Sequence, residues 1–256
     1  MIAVEQRTGL AMLTMDDGRV NALDLEVLTD LTASLREIRT PVVITGAGKA
    51  FSAGVDLRRI VNDGGGDYVG DFLAALSEAF LAVFTHPYPV VAAVNGHAIA
   101  GGCIIALAAD YRLMSAGTIG VTEVAVGVPF PVAALEICRY ALGPTVSAAA
   151  LLAEAVPASR AKAAGFAHEL TSPGDLLDRA LDVARSLGAH APGRLPTHQT
   201  ATAAADAASD RRTGRAGRRR RRPLASARDP RAPHPVPRVP APAQLLTRTT
   251  ELRRTH

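Results

Sequence analysis

The chain has 256 residues, 48% of them apolar and 20% charged, with a net charge of +4, no tryptophan and only two cysteines, Cys103 and Cys138. That length allows one substantial core, or one large and one small domain. No apolar run reaches the roughly 18 residues that a membrane-crossing helix needs. Two cysteines do not suggest a disulfide framework and point to a reducing compartment. The N-terminus, MIAVEQRTG, lacks the basic and apolar regions of a secretory signal. A cytoplasmic protein with no membrane partner is expected.

The net charge conceals an asymmetry. Residues 1–189 carry 13 Lys/Arg against 20 Asp/Glu, a balance of −7, whereas residues 190–256 carry 15 Arg against four acids, a balance of +11. The high isoelectric point therefore describes the C-terminal quarter rather than the body.

In chain order, IAVEQ (2–6) and LAMLTM (10–15) read as strands joined at Arg7-Thr8-Gly9. Asp24 is placed to cap a helix over 25–38, where Leu25, Leu28, Leu31, Leu35 and Ile38 recur at helical spacing. A strand at 42–45 leads into a glycine turn, FSAGVDL (51–57). NDGGGDY (62–68) reads as a loop, and a helix over 69–85 carries Phe72, Leu76, Phe80 and Phe84. A strand at 89–94 leads into a second glycine turn, NGHAIAGGC (95–103), and a small-residue helix at about 102–109. TIGV (118–121) reads as a short strand. Helices near 131–142, 144–152 and 158–164, a strand at 166–170 and a helix at 173–187 complete the body. Alternating strands and helices indicate an α/β fold.

From residue 190 onward the chain changes character. RRTGRAGRRRRR (211–222) is almost all Arg and Gly, and the segment holds nine of the 17 prolines but no aromatic residue and no isoleucine. Such a composition buries too little apolar area to offset its ordering entropy, so a disordered tail is expected. Its abrupt Arg/Pro/Ala bias is also what an out-of-frame reading of GC-rich DNA produces. The expected organisation is a body over 1–189 and a basic low-complexity tail over 190–256. The Arg218–Arg222 run raises nucleic-acid binding as a rival function, since arginine runs bind phosphate without sequence preference. The run lies outside the patterned body and lacks stacking aromatics, so no specific nucleic-acid partner is expected.

The two glycine turns are the most informative feature. Each follows a Pro-Val-Val start, at Pro41 and at Pro89, and each enters a helix-like segment. They look like two copies of one unit. Two such turns can aim backbone N–H groups at one developing negative charge. Glu123 lies in GVTEVAVGV among apolar neighbours, which would raise its pKa toward neutrality and suit proton transfer. An isolated Glu at a strand end can equally well face solvent. Asp56 reads either as a site residue or as the cap of the next helix. No His/Cys/carboxylate cluster has metal spacing, no Walker-type or dinucleotide glycine pattern is present, and Cys103 lacks a nearby base. Neither a metal nor a separate cofactor is expected.

Three motifs in order, FSAGVDL, NGHAIAGGC and GVTEVAVGVPFP (120–131), with Val55 and Gly101 46 positions apart, resemble the enoyl-CoA hydratase/isomerase (crotonase) superfamily. The resemblance runs from about residue 1 to about residue 187. It implies a spiral of repeated ββα units and an acyl-CoA thioester as substrate, with coenzyme A arriving as part of that substrate. It implies that the amides of Val55 and Gly101 stabilise a thioester enolate and that Glu123 is the acid/base. It further implies that Ala22, Ala53, Asp56 and Leu57 line the CoA path. An intact C-terminal region would imply a homotrimer or a dimer of trimers. One departure is informative. Hydratases of this family usually carry a second glutamate where this chain has Ile104. A lone Glu123, together with VGVPFP, resembles the Δ3,Δ2-enoyl-CoA isomerase branch more closely. A hydratase and a catalytically impaired family member are the alternatives.

Overall fold

A computed structural model describes residues 1–63, 65–127 and 130–190. Strands β1 (Ile2–Arg7) and β2 (Leu10–Met15) form an antiparallel hairpin. After the two-residue β3 (Ala22–Leu23) comes helix α1 (Leu25–Glu37), capped as expected by Asp24, whose carboxylate accepts from the Val27 N–H. Strand β4 (Val42–Gly46), the short β5 (Ala50–Ser52) and β6 (Gly54–Val55), and helices α2 (Leu57–Asp63) and α3 (Gly66–Phe84) follow. Next are β7 (Val90–Val94), β8 (His97–Ile99) and α4 (Gly101–Ala108), then β9 (Tyr111–Met114), β10 (Thr118–Gly120) and a 3-10 turn over Glu123–Val126. Helices α5 (Val132–Leu142) and α6 (Val146–Leu152), strand β11 (Val156–Pro157), α7 (Ala158–Ala161), β12 (Glu169–Leu170) and α8 (Leu176–His190) complete the described chain.

The large sheet runs β1-β2-β4-β7-β9-β12 and is parallel from β2 onward. Its central strands, VVITG and VVAAV, are buried along their whole length. Parallel strands covered on both faces read as continuous apolar runs because neither face meets water. Helix α8 covers one face with Leu176, Ala180, Leu181 and Ala184 against Leu10, Val43, Val91 and Leu113. The other face packs on α1, α3 and α4 through Leu28, Leu31, Phe72, Phe80, Ile104 and Leu107. The outer strand β1 carries Glu5, Gln6 and Arg7 on a largely exposed edge, a composition that discourages edge-to-edge pairing.

The ββα repetition is explicit in the pairing. β4, β7 and β9 lie side by side in the large sheet, while β5, β8 and β10 lie side by side in a second sheet, ordered β11-β10-β8-β5. Each repeat contributes one strand to each layer before entering a helix, which gives the expected spiral. Two expectations are corrected. The segment 62–68 is mostly helical rather than a loop, since α2 extends to Asp63 and α3 starts at Gly66. Only Glu169–Leu170 of the expected strand 166–170 pairs with β9; in the register that sets Glu169 opposite Leu113, Phe166 falls before β9 begins at Tyr111, and its carbonyl accepts the buried Arg112 side chain. The expected tail and the domain boundary at 189/190 lie outside the described residues, apart from His190 itself.

Candidate active site

The two glycine turns meet. A side chain on Gly54 would place its Cβ 2.6 Å from the Ile99 carbonyl oxygen and 3.3 Å from the Gly101 nitrogen, and Gly54 has a φ of +83°. Only glycine satisfies both conditions without strain. On the Gly101 side, the Cβ position lies 3.6 Å from Val55 Cγ2, so Val55 and Gly101 are direct neighbours. β5 pairs with β8, and β3 pairs with β6, where Leu23 lies opposite Val55. These pairings bring the first turn alongside the second.

Ala100, the residue before α4, adopts φ +48° and ψ −121°. Such a backbone costs about 1–3 kcal/mol and persists only where the surroundings over-determine it. Here the Ala100 N–H donates to the Gly120 carbonyl at 2.9 Å, which ties the second turn to β10. Ala100 supplies no capping side chain. The first-turn amides of α4 thus receive no side-chain cap, and the positive end of the helix dipole coincides with Gly101. At the opposite end, Arg112 donates to the carbonyls of Ala109 at 3.0 Å and Leu107 at 3.4 Å, placing a buried cation where the helix dipole is negative.

Glu123 opens the 3-10 turn that follows β10 rather than ending a strand, and it is 9% exposed. Its Oε2 has no hydrogen-bond partner among the described residues. Burial raises its pKa from 4.5 to about 7, only partly opposed by the backbone N–H groups of Glu123 and Thr122. Burial also raises the Asp110 carboxyl, but that side chain accepts the Val90 N–H at 2.8 Å. Glu123 adjoins two buried thiols. Burial first, and then the Glu123 charge, pushes Cys138 on α5 up to about 12. Cys103, in the first turn of α4, is raised well above its usual range by its burial and in smaller part by Cys138 and Glu123. Both thiols are inert core groups at neutral pH. Ile104, one residue further along α4, is fully buried in the main core.

The remaining expected site residues cluster beside the first turn. Ala22 lies opposite Gly54 in the β3–β6 pair. Ala53 is exposed and donates its N–H to Val20, and Leu57 is 43% exposed. Asp56 accepts from the N–H groups of Arg58 and Arg59, so it caps the start of α2 beside the first turn. Sequence reasoning missed Ser52, which is fully buried and whose hydroxyl accepts the Gly54 N–H at 3.2 Å. It gave no positioning role to Asn21 and Asn95, whose side chains bind the backbone that leads into the first turn. The Asn-Gly pair at 95–96 was the available signal, since Asn before Gly marks tight turns. A groove between α1 and α3, lined by Leu35, Arg39, Ser77 and His86, includes none of these residues. Among the described residues no group of side chains could hold a metal ion, and no helix is long and apolar enough to cross a membrane.

The sequence pattern of the family described as enoyl-CoA hydratase/isomerase matches residues 5–226. The chain is 34% identical over 203 residues to the putative enoyl-CoA hydratase of Thermus thermophilus, covering 76% of this chain and 80% of that one. It is 32% identical over 140 residues to the mitochondrial enoyl-CoA delta isomerase 1 of Mus musculus, covering 51% of this chain and 48% of the mouse protein. The chain thus spans about half the length of that isomerase. Among solved structures, the probable enoyl-CoA hydratase EchA3 of Mycobacterium tuberculosis superposes with a TM-score of 0.71 at 33% identity, covering 84% of this chain and 93% of that one. The same mycobacterial protein is also described as an enoyl-CoA isomerase, in an apo structure at a TM-score of 0.67. The two glycine turns, the ββα spiral and these similarities converge on one conclusion: the chain belongs to the enoyl-CoA hydratase/isomerase family.

Proposed function

We propose that the protein is a Δ3,Δ2-enoyl-CoA isomerase that works with Glu123 as its one acid/base. The Glu123 carboxylate takes the C2 proton of a 3-enoyl thioester. The electron pair moves onto the thioester oxygen, to which the N–H groups of Val55 and Gly101 donate hydrogen bonds. The enolate then collapses, the double bond settles between C2 and C3, and Glu123 returns the proton to C4. One preorganised donor of this kind contributes roughly 3–4 kcal/mol of transition-state stabilisation. A pKa near 7 leaves both protonation states populated at neutral pH, as a group that both removes and returns a proton requires. Ala22, Ala53, Asp56 and Leu57 line the path of the CoA moiety in this reading.

The observation that carries the isomerase assignment is the contrast between Glu123 and Ile104. Hydration of an alkene calls for one carboxylate to activate water and a second to protonate carbon, and the second position here is a fully buried isoleucine. The hydratase reading is favoured by the name of the Thermus thermophilus relative. Separate assays of a 3-enoyl-CoA and a 2-enoyl-CoA, followed by absorbance, decide between them. Conjugation of the 3-enoyl substrate is expected. Efficient hydration of the 2-enoyl substrate with no isomerisation would overturn the proposal.

A further inference from the structure

The first turn is held from both sides through a single carbonyl. Asn21 Nδ2 lies 2.8 Å from the Ala50 oxygen, 3.0 Å from the Ala47 oxygen and 3.4 Å from the Phe51 oxygen. Asn95 Nδ2 lies 3.4 Å from the same Ala50 oxygen and 3.1 Å from the Gly48 oxygen. Ala50 opens β5, which runs through Ser52 directly into Gly54 and Val55. Both asparagines are themselves fixed. Asn21 is 2% exposed and sits at φ +56°; its N–H donates to Asp17 Oδ1 at 2.7 Å, and its Oδ1 faces the Asp17 N–H at 3.3 Å. Asn95 Oδ1 accepts from the Gly46 N–H at 3.2 Å and lies 3.4 Å from the Thr45 hydroxyl.

Asn95 belongs to the second ββα repeat, between β7 and β8, yet all four of its side-chain partners belong to the first, between Thr45 and Ala50. It is followed by Gly96, where a Cβ would lie 1.9 Å from the Lys49 carbonyl oxygen. The two repeats therefore touch backbone to backbone at this point, with the Asn95 amide spanning the join. From that join, β5 leads to Val55 and β8 leads to Gly101. Their pairing is irregular, with a register shift between Ala50 and Ser52. A bulged pair fixes spacing less firmly than a regular ladder, so side-chain contacts at its base carry more of the alignment.

We infer that Asn95, with Asn21 behind it, is a positioning residue that sets the spacing of the Val55 and Gly101 amides by gripping the Ala50 carbonyl across the join between the repeats. This rests on the oxyanion role given to those amides above. A misplacement of about 1 Å at a site of this kind lowers the rate by roughly 10²-fold. Neither asparagine touches the substrate in this arrangement, so ester binding depends little on them.

The test compares the full chain with Asn95→Ala and with the isosteric Asn95→Asp, which keeps the acceptor for Gly46 and loses the donor to Ala50 and Gly48. The probe is hexanoyl-CoA labelled with ¹³C at its carbonyl, which cannot isomerise. Its C=O stretch is read by difference infrared spectroscopy alongside its Kd, and kcat is measured on a 3-enoyl-CoA. The native protein should lower the C=O frequency on binding. Both variants should lose part of that lowering and about 10²-fold in kcat, while Kd changes by less than about threefold. A variant that folds and keeps the full carbonyl shift and kcat overturns the positioning role and leaves the oxyanion reading standing. If Asn95→Ala fails to fold, the same two measurements on Asn95→Asp decide the matter. A native protein that polarises the bound carbonyl no more than water does overturns the oxyanion reading and this inference together.

Discussion

The amide nitrogen of Gly101 lies 3.3 Å from the point that a Cβ on Gly54 would occupy. This closeness joins two segments 47 positions apart, and it depends on an absent side chain. Any residue other than glycine at position 54 must displace the start of α4, or be displaced by it.

Gly54→Ala should therefore damage both the fold and the site. The new methyl group would sit 2.6 Å from the Ile99 carbonyl, on a backbone with φ +83°. A destabilisation of about 1–3 kcal/mol is expected from the strained backbone alone. The rate should fall by roughly 10²-fold through separation of the two turns. Urea denaturation and steady-state kinetics check the two effects separately, and a variant with unchanged kcat would contradict the account of the site.

Glu123→Gln removes a buried carboxyl while keeping its shape. Loss of a general acid/base lowers rates by about 10²–10⁴-fold, with little change in the affinity for a saturated acyl-CoA. Calorimetric titration beside the kinetic assay separates the two quantities. A Gln variant with near-native kcat would remove Glu123 from the mechanism.

The Glu123 pKa also fixes two pH profiles. Its value near 7 lies above the 4.5 of an exposed glutamate, so folding favours the protonated form. The associated stability is fully present below about pH 4.5 and is lost as pH rises through about 7, a difference of about 3 kcal/mol. Glu123→Gln should not show this contribution, so the gap in stability between variant and native protein should widen in the variant's favour between those values. The rate, which needs the carboxylate, should rise along an acidic limb centred near pH 7. Urea midpoints at several pH values and a kcat/KM profile check both, and an acidic limb near pH 4.5 would show an unburied carboxyl.

Ile104→Glu should not create a hydratase. Ile104 is fully enclosed by the core, so a carboxylate there loses its water without gaining a partner. Leaving a buried charge uncompensated costs on the order of 3 kcal/mol. A lowered melting temperature and no hydration of 2-enoyl-CoA are expected. A stable variant that hydrates would show that Ile104 borders water.

Asp24→Ala probes the link between α1 and the site-bordering α2. Asp24 accepts the Val27 N–H at 2.8 Å and pairs with Arg59 at 2.6 Å. Loss of the cap should lower stability by about 1 kcal/mol, and the partly exposed ion pair adds little. Chemical denaturation measures the difference, and an unchanged midpoint would mean that the cap is dispensable.

Local chemistry was enough to read much of this protein from its sequence. The Asp24 cap and the leucine spacing determined α1, and the Val-rich runs at 42–45 and 89–94 determined the central strands. The repeated Pro-Val-Val to Ala-Gly pattern revealed a duplicated strand–turn–helix unit, whereas the setting of Glu123 among valines left both a buried and a solvent-facing carboxyl open. These signals lie within a few residues of one another and survive without the rest of the chain. Tertiary structure alone decided the remainder. Strands of two or three residues, such as Ala22–Leu23, Gly54–Val55 and His97–Ile99, are too short to show a period and exist only because a distant strand pairs with them. The segment 62–68 looked like a loop from its glycines, but α2 and α3 extend into it from both ends. Phe166 lies outside its expected strand because the partner strand β9 starts only at Tyr111, and its carbonyl meets a buried guanidinium 54 residues away. The Glu123 pKa, the contact between Gly54 and Gly101, and the two asparagines on one carbonyl all depend on groups brought together across the spiral. Sequence spacing records the residues available for such contacts, and only the packed chain sets the distances on which their chemistry depends.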